Sequence, residues 1–334
     1  MHKNFVSLLR CPESGGSLNL TEPIWNGDYI KSGFLQSAGT GRKYPVLNYI
    51  PRFVSSDNYA GNFGLEWNIH SQTQHDDFSH FEISSTRFRE ETKWGNNLQG
   101  ELILEAGSGA GRFTGIAAET GATIISFDYS NAVEANFKTN GRKENILIIQ
   151  ADIYNMPFEK ASFDRVFCFG VIQHTPDPEK AFYNLVNYLK PGGKLATDIY
   201  IKDLLHYYCQ TKYYVRPFLK NVNPEKLYYL IKSYIDLMWP LVKIIRKIPF
   251  KIGQGICFRL LVADYYSMLR GANDKTLKEW AYLDSFDMLS PAFDKPQTLK
   301  TFRQWHQNAG LAEINLHKGY NGVEARAVKP LQKI

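Results

Sequence analysis

Apolar residues gather in five short runs between positions 102 and 200, separated by polar or glycine-rich breaks. Runs of that length with sharp stops predict strands buried on both faces. Residues 102–104 form the first, ending in an acidic residue and a glycine loop, after which Phe113, Ile116 and Ala117 recur at helical spacing. Residues 122–127 and 146–150 form the second and third, and the stretch from Ser162 into Cys168 the fourth. A helix over 179–189 halts at Lys190-Pro191-Gly192-Gly193, which reads as a Pro-Gly turn before a fifth strand over 194–200. Strands alternating with helices predict a parallel sheet covered on both faces.

The flanks follow other periods. Residues 1–54 read as a small β-rich module. Residues 59–98 look helical, with Phe63, Leu65, Trp67 and Ile69 as apolar anchors, and Arg87 and Arg89 as arginines of a solvated face. The block 201–262 alternates helical apolar patterns with tyrosine pairs, and its stretch 234–248 is basic, amphipathic and kinked at Pro240. An amphipathic helix over 299–311 has a glycine stop at Gly310, and residues 312–317 and 324–328 read as a closing antiparallel pair. The division is 1–54, 55–200 as the nucleotide-type fold, 201–297 as a helical cap insertion with a substrate loop, and 298–334 as the closing helix and strands.

Composition narrows the class. With 334 residues and 44% hydrophobic content, the chain can bury a full core. Cys11, Cys168, Cys209 and Cys257 show no paired spacing, so neither disulfides nor a closed zinc site is expected, and a cytoplasmic setting fits. No secretory signal follows Lys3, and no window of 18 uninterrupted apolar residues suggests a spanning helix. The net charge of +6 is uneven: residues 201–260 hold 11 Lys/Arg against three Asp/Glu. That block is compatible with a substrate lid, a homodimer interface, a membrane-surface contact through 201–262 or a nucleic-acid surface.

Candidate chemistry starts at Glu105-Ala106-Gly107-Ser108-Gly109-Ala110-Gly111. A dinucleotide fingerprint would place its third glycine at position 112, which is Arg112. Glycines 107, 109 and 111 would let the backbone approach a cofactor, and Glu105 would meet its amino-acid end directly or through water. Asp128, 17 residues after Gly111, ends the second strand, where a carboxylate can bind both ribose hydroxyls. His70, His75 and His80 are spaced by five, which suits neither a helix face nor a strand face, so no metal site is expected.

The Glu-x-Gly-x-Gly-x-Gly pattern, with Asp128, Asp152 and the loop after strand four at compatible spacing, resembles class I S-adenosylmethionine-dependent methyltransferases. The resemblance implies a Rossmann-like fold with a seven-stranded, mainly parallel sheet and S-adenosyl-L-methionine as cofactor. It places Asp152 at the adenine amino group, Ile153 against the ring and Gly170 in the cofactor-facing loop. His174 becomes the candidate general base where the family commonly carries His-His, the first position here being Gln173. Asp198 joins it as a catalytic candidate, with Tyr200, Asp287 and Ser290 around the pocket, and Tyr207, Tyr208 and Trp239 shaping the acceptor end. The run Leu8 to Gly16 resembles a degenerate zinc-ribbon-like module, with Ser14 where a second ligand would stand. The implied function is methylation, O-methylation first, of a small molecule such as a sugar or natural product, with no nucleic-acid partner expected. Alternatives are a lipid or quinone-like acceptor at a membrane surface, or a non-catalytic scaffold that binds the cofactor or RNA.

Overall fold

The computed structural model describes residues 1–55, 58–203 and 208–331. Strands β1 (Leu18–Asn26), β2 (Tyr29–Ser37), β3 (Lys43–Leu47) and β4 (Ile50–Pro51) form an antiparallel N-terminal sheet. The main sheet comprises β5 (Leu102–Ala106), β6 (Thr123–Asp128), β7 (Ile146–Gln150), β8 (Phe163–Cys168), β9 (Leu189–Ile199), β10 (Ala312–Lys318) and β11 (Val323–Val328). Its order is β10-β11-β9-β8-β5-β6-β7. The strands β5 to β9 pair in parallel, while β11 runs antiparallel to both its neighbours. This is the Rossmann-like, seven-stranded, mainly parallel sheet that the resemblance implies. Every residue of β7 is buried, as the two-sided cover of a parallel sheet requires.

From β5 the chain moves to β6 on one side and later returns to β8 on the other. That reversal opens a crevice beyond the carboxyl ends of β5 and β8, the usual ligand position in an open α/β sheet.

Two local readings need correction. The turn expected at 190–193 is absent: β9 begins at Leu189, directly after helix Pro178–Tyr188, and carries the Pro-Gly-Gly run inside it. Phe163 pairs with Leu189 but Arg165 with Lys194, so the extra residues are absorbed as a bulge. Gly192 takes a φ of +81° there. Second, Arg87 of helix Ile83–Thr92 is buried rather than solvated, whereas Arg89 lies on the exposed face.

The N-terminal sheet covers the β7 edge. Phe53 N donates to Gln150 O at 2.8 Å, and Arg52 reaches Gln150 Oε1 at 3.0 Å and pairs with Glu134. Sequestering that edge removes a template for unwanted strand pairing. Cys11 is buried, 3.3 Å from the Tyr44 hydroxyl. Burial raises its thiol, but hydrogen bonds from Ser14, Tyr44 and Ser37 outweigh that and hold it at about 6.

Helices Lys212–Leu219, Pro224–Ile245, Ile252–Arg259 and Asp274–Leu289 form the cap. The long one starts at Asn223, whose side chain accepts from Lys226 N, with Pro224 in the first turn. It continues through Pro240 to Ile245. Leu227, Ile231, Ile235 and Trp239, each four residues apart, bury one stripe against Cys257, Leu277 and Phe286. Trp239 is therefore cap core and not acceptor wall. Its Nε1 donates to Asp274 Oδ1 at 3.0 Å, and Arg246 lies 4.7 Å over the ring. Trp239→Ala is expected to destabilise the cap by about 3–5 kcal/mol, read as a lower urea midpoint. An unchanged midpoint would remove Trp239 from the core.

Candidate functional site

One cavity of about 730 Å³ occupies the crevice beneath the cap. Its floor is the glycine loop after β5. Gly107 and Gly109 line it with φ of +78° and +52°. A Cβ on Gly107 would stand 2.2 Å from Val171 Cγ2, and one on Gly109 would stand 3.1 Å from the Trp67 ring. The bare backbone at both positions leaves a cradle that side chains would fill. Gly111 differs: it caps helix Arg112–Ala118 and faces Asn136, outside the cavity wall. Its need is helix packing.

Glu105 also lies behind the wall. Its Oε2 accepts from Thr114 Oγ1 and from Ser126 Oγ at 2.8 Å, while Oε1 is buried without a partner. Burial pushes its carboxyl up to about 7. The orphan oxygen and the partnerless Ser108 Oγ are polar atoms that a bound group at this loop can satisfy.

At one end, Asp128, Tyr129, Tyr59 and Ile153 line the cavity. Asp128 Oδ2 accepts from Gly109 N at 2.9 Å, and Oδ1 from Ser130 N and Oγ at 2.8 and 2.7 Å. The carboxylate is thus aimed by the glycine loop it would share with a ribose. Burial pushes its pKa up. Asp152 sits one residue behind the wall, its Oδ1 accepting from Tyr154 N at 2.9 Å.

At the other end His174 lines the wall, 6% exposed. Its Nδ1 lies 2.9 Å from the Phe293 carbonyl. A carbonyl only accepts, so Nδ1 carries a hydrogen, which in the neutral tautomer puts the lone pair on Nε2. Nε2 is buried and unpartnered. The loop holding Phe293 is itself braced: Lys212 pairs with Asp294 at 2.9 Å, and Arg216 donates to Pro291 O at 2.8 Å. Phe63 and Tyr200 flank the imidazole at 5.2 and 5.3 Å.

Asp198 does not reach the cavity. It is fully buried, its Oδ2 accepting from Arg87 at 2.5 Å and its Oδ1 from Gly170 N at 2.5 Å. Both oxygens are committed, which makes it a positioning residue for the Gly170 loop. Gly170 itself lines the cavity. Asp287 and Tyr200 line it too, whereas Ser290 is buried elsewhere and Tyr208 is exposed. Tyr207 lies outside the described residues. The three histidines scatter: His70 bonds Glu279 and Tyr228, His75 donates to Ala110 O at 3.2 Å, and His80 ends a helix at positive φ. Among the described residues no group of His, Cys, Asp or Glu is arranged to hold a metal.

The segment 63–68, which by resemblance closes over the cofactor's methionine end, does supply Phe63, Glu66 and Trp67 to the wall, but sequence reasoning missed Arg112, Tyr265, Trp280, Asp284 and Tyr320. Only Asp284 and Trp280, one helical turn apart, carried a periodic signal, and that signal equally fits a cap core.

Residues 104–197 match the family model described as a methyltransferase domain. Among known proteins, the tRNA U34 carboxymethyltransferase of Campylobacter curvus is 32% identical over 114 residues, 32% of this chain and 37% of that one. The ubiquinone biosynthesis O-methyltransferase of Coxiella burnetii is 30% identical over 100 residues, 29% and 43% of the two chains. Methyltransferase GfsG of Streptomyces halstedii is 28% identical over 112 residues, 32% and 40%. The chain thus spans less than half the length of the curated relatives it matches. Human N-acetylserotonin methyltransferase, solved with S-adenosylmethionine, aligns with a TM-score of 0.38 at 14% identity over 83% of this chain and 60% of that one. The glycine cradle, Asp128 and the orphan oxygens fit S-adenosylmethionine, the cofactor that the sequence resemblance implies.

Asp198→Asn is expected to cost about 3–5 kcal/mol of stability, because it removes one partner of a buried ion pair. The variant should keep measurable cofactor binding at low temperature. A variant as stable as the parent yet inactive would restore Asp198 as a proton acceptor.

Proposed function

We propose that this protein is an S-adenosylmethionine-dependent methyltransferase that O-methylates a small acceptor, such as a sugar or natural product, beneath the cap. The observation that carries the reading is the free Nε2 of His174 on the cavity wall that also holds the glycine cradle. Asp128 would hold the ribose, Ile153 and Tyr129 the base, and the loop from Gly107 to Gly109 the amino-acid portion. Bound there, the cofactor supplies a methyl group on a sulfonium with a neutral thioether as leaving group. His174 takes the acceptor's hydroxyl proton on Nε2 as the new O–C bond forms, and the Phe293 carbonyl steadies the resulting imidazolium. The cap excludes water and holds the acceptor close, which is where most of the acceleration arises. The N-terminal sheet serves as a metal-free, degenerate zinc-ribbon-like module kept for packing.

Calorimetry with S-adenosylhomocysteine should give saturable binding. His174→Gln should leave that affinity unchanged and lower kcat by roughly 10²–10⁴-fold. Absence of binding by the parent protein would overturn the reading. Unchanged turnover in the variant would remove His174 as base.

A second reading is favoured by the cap surface. Leu230, Leu237, Leu241 and Ile244 form one exposed stripe of helix Pro224–Ile245, Leu237 being 78% exposed, and Phe250 beyond it is 91% exposed. Lys247 and Lys251 follow this helix in the chain, and Lys251 also lines the cavity. Apolar residues beside lysines suit an anionic bilayer surface and a lipid or quinone-like acceptor drawn from it. No described helix is long and apolar enough to cross a membrane. The protein should co-sediment with phosphatidylserine-containing vesicles, and Leu237→Glu with Ile244→Glu should release it without altering cofactor affinity. No sedimentation by the parent protein would end this reading.

A further inference from the structure

The wall near His174 is acidic. Asp284 and Asp287 stand three residues apart on one face of helix Asp274–Leu289, and Glu66 projects from helix Gly61–Ile69. Glu66 is fully buried, and neither of its carboxyl oxygens has a partner. Asp284 has a 3.3 Å contact from Gln74 Nε2, and Asp287 one of 3.2 Å from the Tyr200 hydroxyl. Burial first, then repulsion from Asp287 and Asp284, pushes Glu66 well above the usual carboxyl range. Burial and Asp287 push Asp284 up to about 7, even though Arg112 and Arg87 face it and Tyr265 bonds it. Arg87 is already committed to Glu91 and Asp198. Arg112 lines the same cavity and faces Asp284, while the raised Glu66 carboxyl favours its neutral form unless a further cation reaches it.

A metal ion does not suit it, since among the described residues no three such groups are spaced as ligands. An organic cation suits it better: an ammonium brings three N–H donors that bond at longer reach than metal coordination and can be shared among carboxylates and neighbouring hydroxyls. A separate observation says more about the ligand. Trp280, one turn before Asp284, lines the same cavity at 1% exposure with its indole N–H lacking an acceptor. A buried donor calls for an oxygen near the ammonium. Tyr265 and Trp67 also line the cavity, and such rings favour a cation by their quadrupoles. The acid wall lies one tyrosine from the base, because Tyr200 contacts both His174 and Asp287.

We propose that Glu66, Asp284 and Asp287 hold the protonated amino group of the acceptor, which is therefore an amine-bearing hydroxy compound whose second oxygen meets Trp280 Nε1 while its reacting hydroxyl meets His174. This rests on the methyltransferase reading above and adds the acceptor's charge. The test titrates 2-amino-1,3-propanediol, 3-amino-1,2-cyclohexanediol and glucosamine, each against its N-acetyl counterpart, with S-adenosylhomocysteine saturating. At least one amine should bind tenfold or more tightly than its acetylated partner. Glu66→Gln and Asp287→Asn should each erase that preference, with S-adenosylhomocysteine affinity within twofold of the parent and thermal stability retained. Equal binding of amines and acetamides, or no binding of any amine, would overturn the proposal. Weakened S-adenosylhomocysteine binding in these variants would mean that the wall grips the cofactor's own amino group, which also overturns it but leaves the methyltransferase reading intact. Failure of the parent to bind S-adenosylhomocysteine would instead defeat the underlying reading.

Discussion

Arg87 carries a full charge into the sheet-facing side of its helix, where its side chain is 3% exposed. Taking a guanidinium out of water costs several kcal/mol unless partners surround it. Here Glu91 one turn along the helix and Asp198 at the tip of β9 supply two carboxylates, and Asp198 passes the connection on to Gly170 N. The planar group also lies over the Phe113, Phe169 and Tyr320 rings at 5.4, 5.9 and 4.9 Å. One side chain thereby joins the preceding helices, the glycine-loop helix, the strand-four loop and the β10–β11 connection. None of these segments could move alone without stranding a charge. Glu91, pushed up to about 8 by burial and by Asp198, shows that the cluster is near the limit of acid it can hold.

The glycine loop rests on that frame but answers to a different constraint. Gly107 and Gly109 are bare because Val171 and Trp67 close over the backbone at the cavity, while Gly111 is bare because Asn136 and Asn140 pack against the helix start. A single motif thus combines two approach requirements with one packing requirement. The pattern Gly-x-Gly-x-Gly looks uniform in sequence, yet its last member serves the fold.

How much was legible follows from the range of each cause. Strands β5 to β8 were readable because a parallel strand buried on both faces is mostly apolar, a purely local rule. Asp128 was readable because the end of β6 fixes its place at the crevice. Asp198 misled: a polar residue at a strand tip can face the cavity or the sheet interior, and an arginine 111 residues away decides. The 190–193 run misled because a Pro-Gly-Gly sequence suits a bulge as well as a turn. In the cap, a stripe of apolar and aromatic residues at spacing four specifies a buried face without naming the face's partner. Trp239 packs on other cap helices, while Trp280 reaches the cavity, and nothing in their local sequence separates them.

Several features that cost stability meet at one place. Positive φ at Gly107, Gly109 and Gly170, the orphan Nε2 of His174, the partnerless carboxyl of Glu66 and the buried Glu105 oxygen all border the same cavity or lie directly behind it. Elsewhere the sheet, the N-terminal cover over β7 and the cap core satisfy their apolar periodicity. Strained backbone and unpaired polar atoms persist only where surrounding structure over-determines them. The two clusters of apolar packing on either face of the sheet, with the third inside the cap, provide that surplus. A group bound in the cavity would offer Ser108 Oγ, His174 Nε2 and the Glu66 carboxyl partners that the protein itself does not supply.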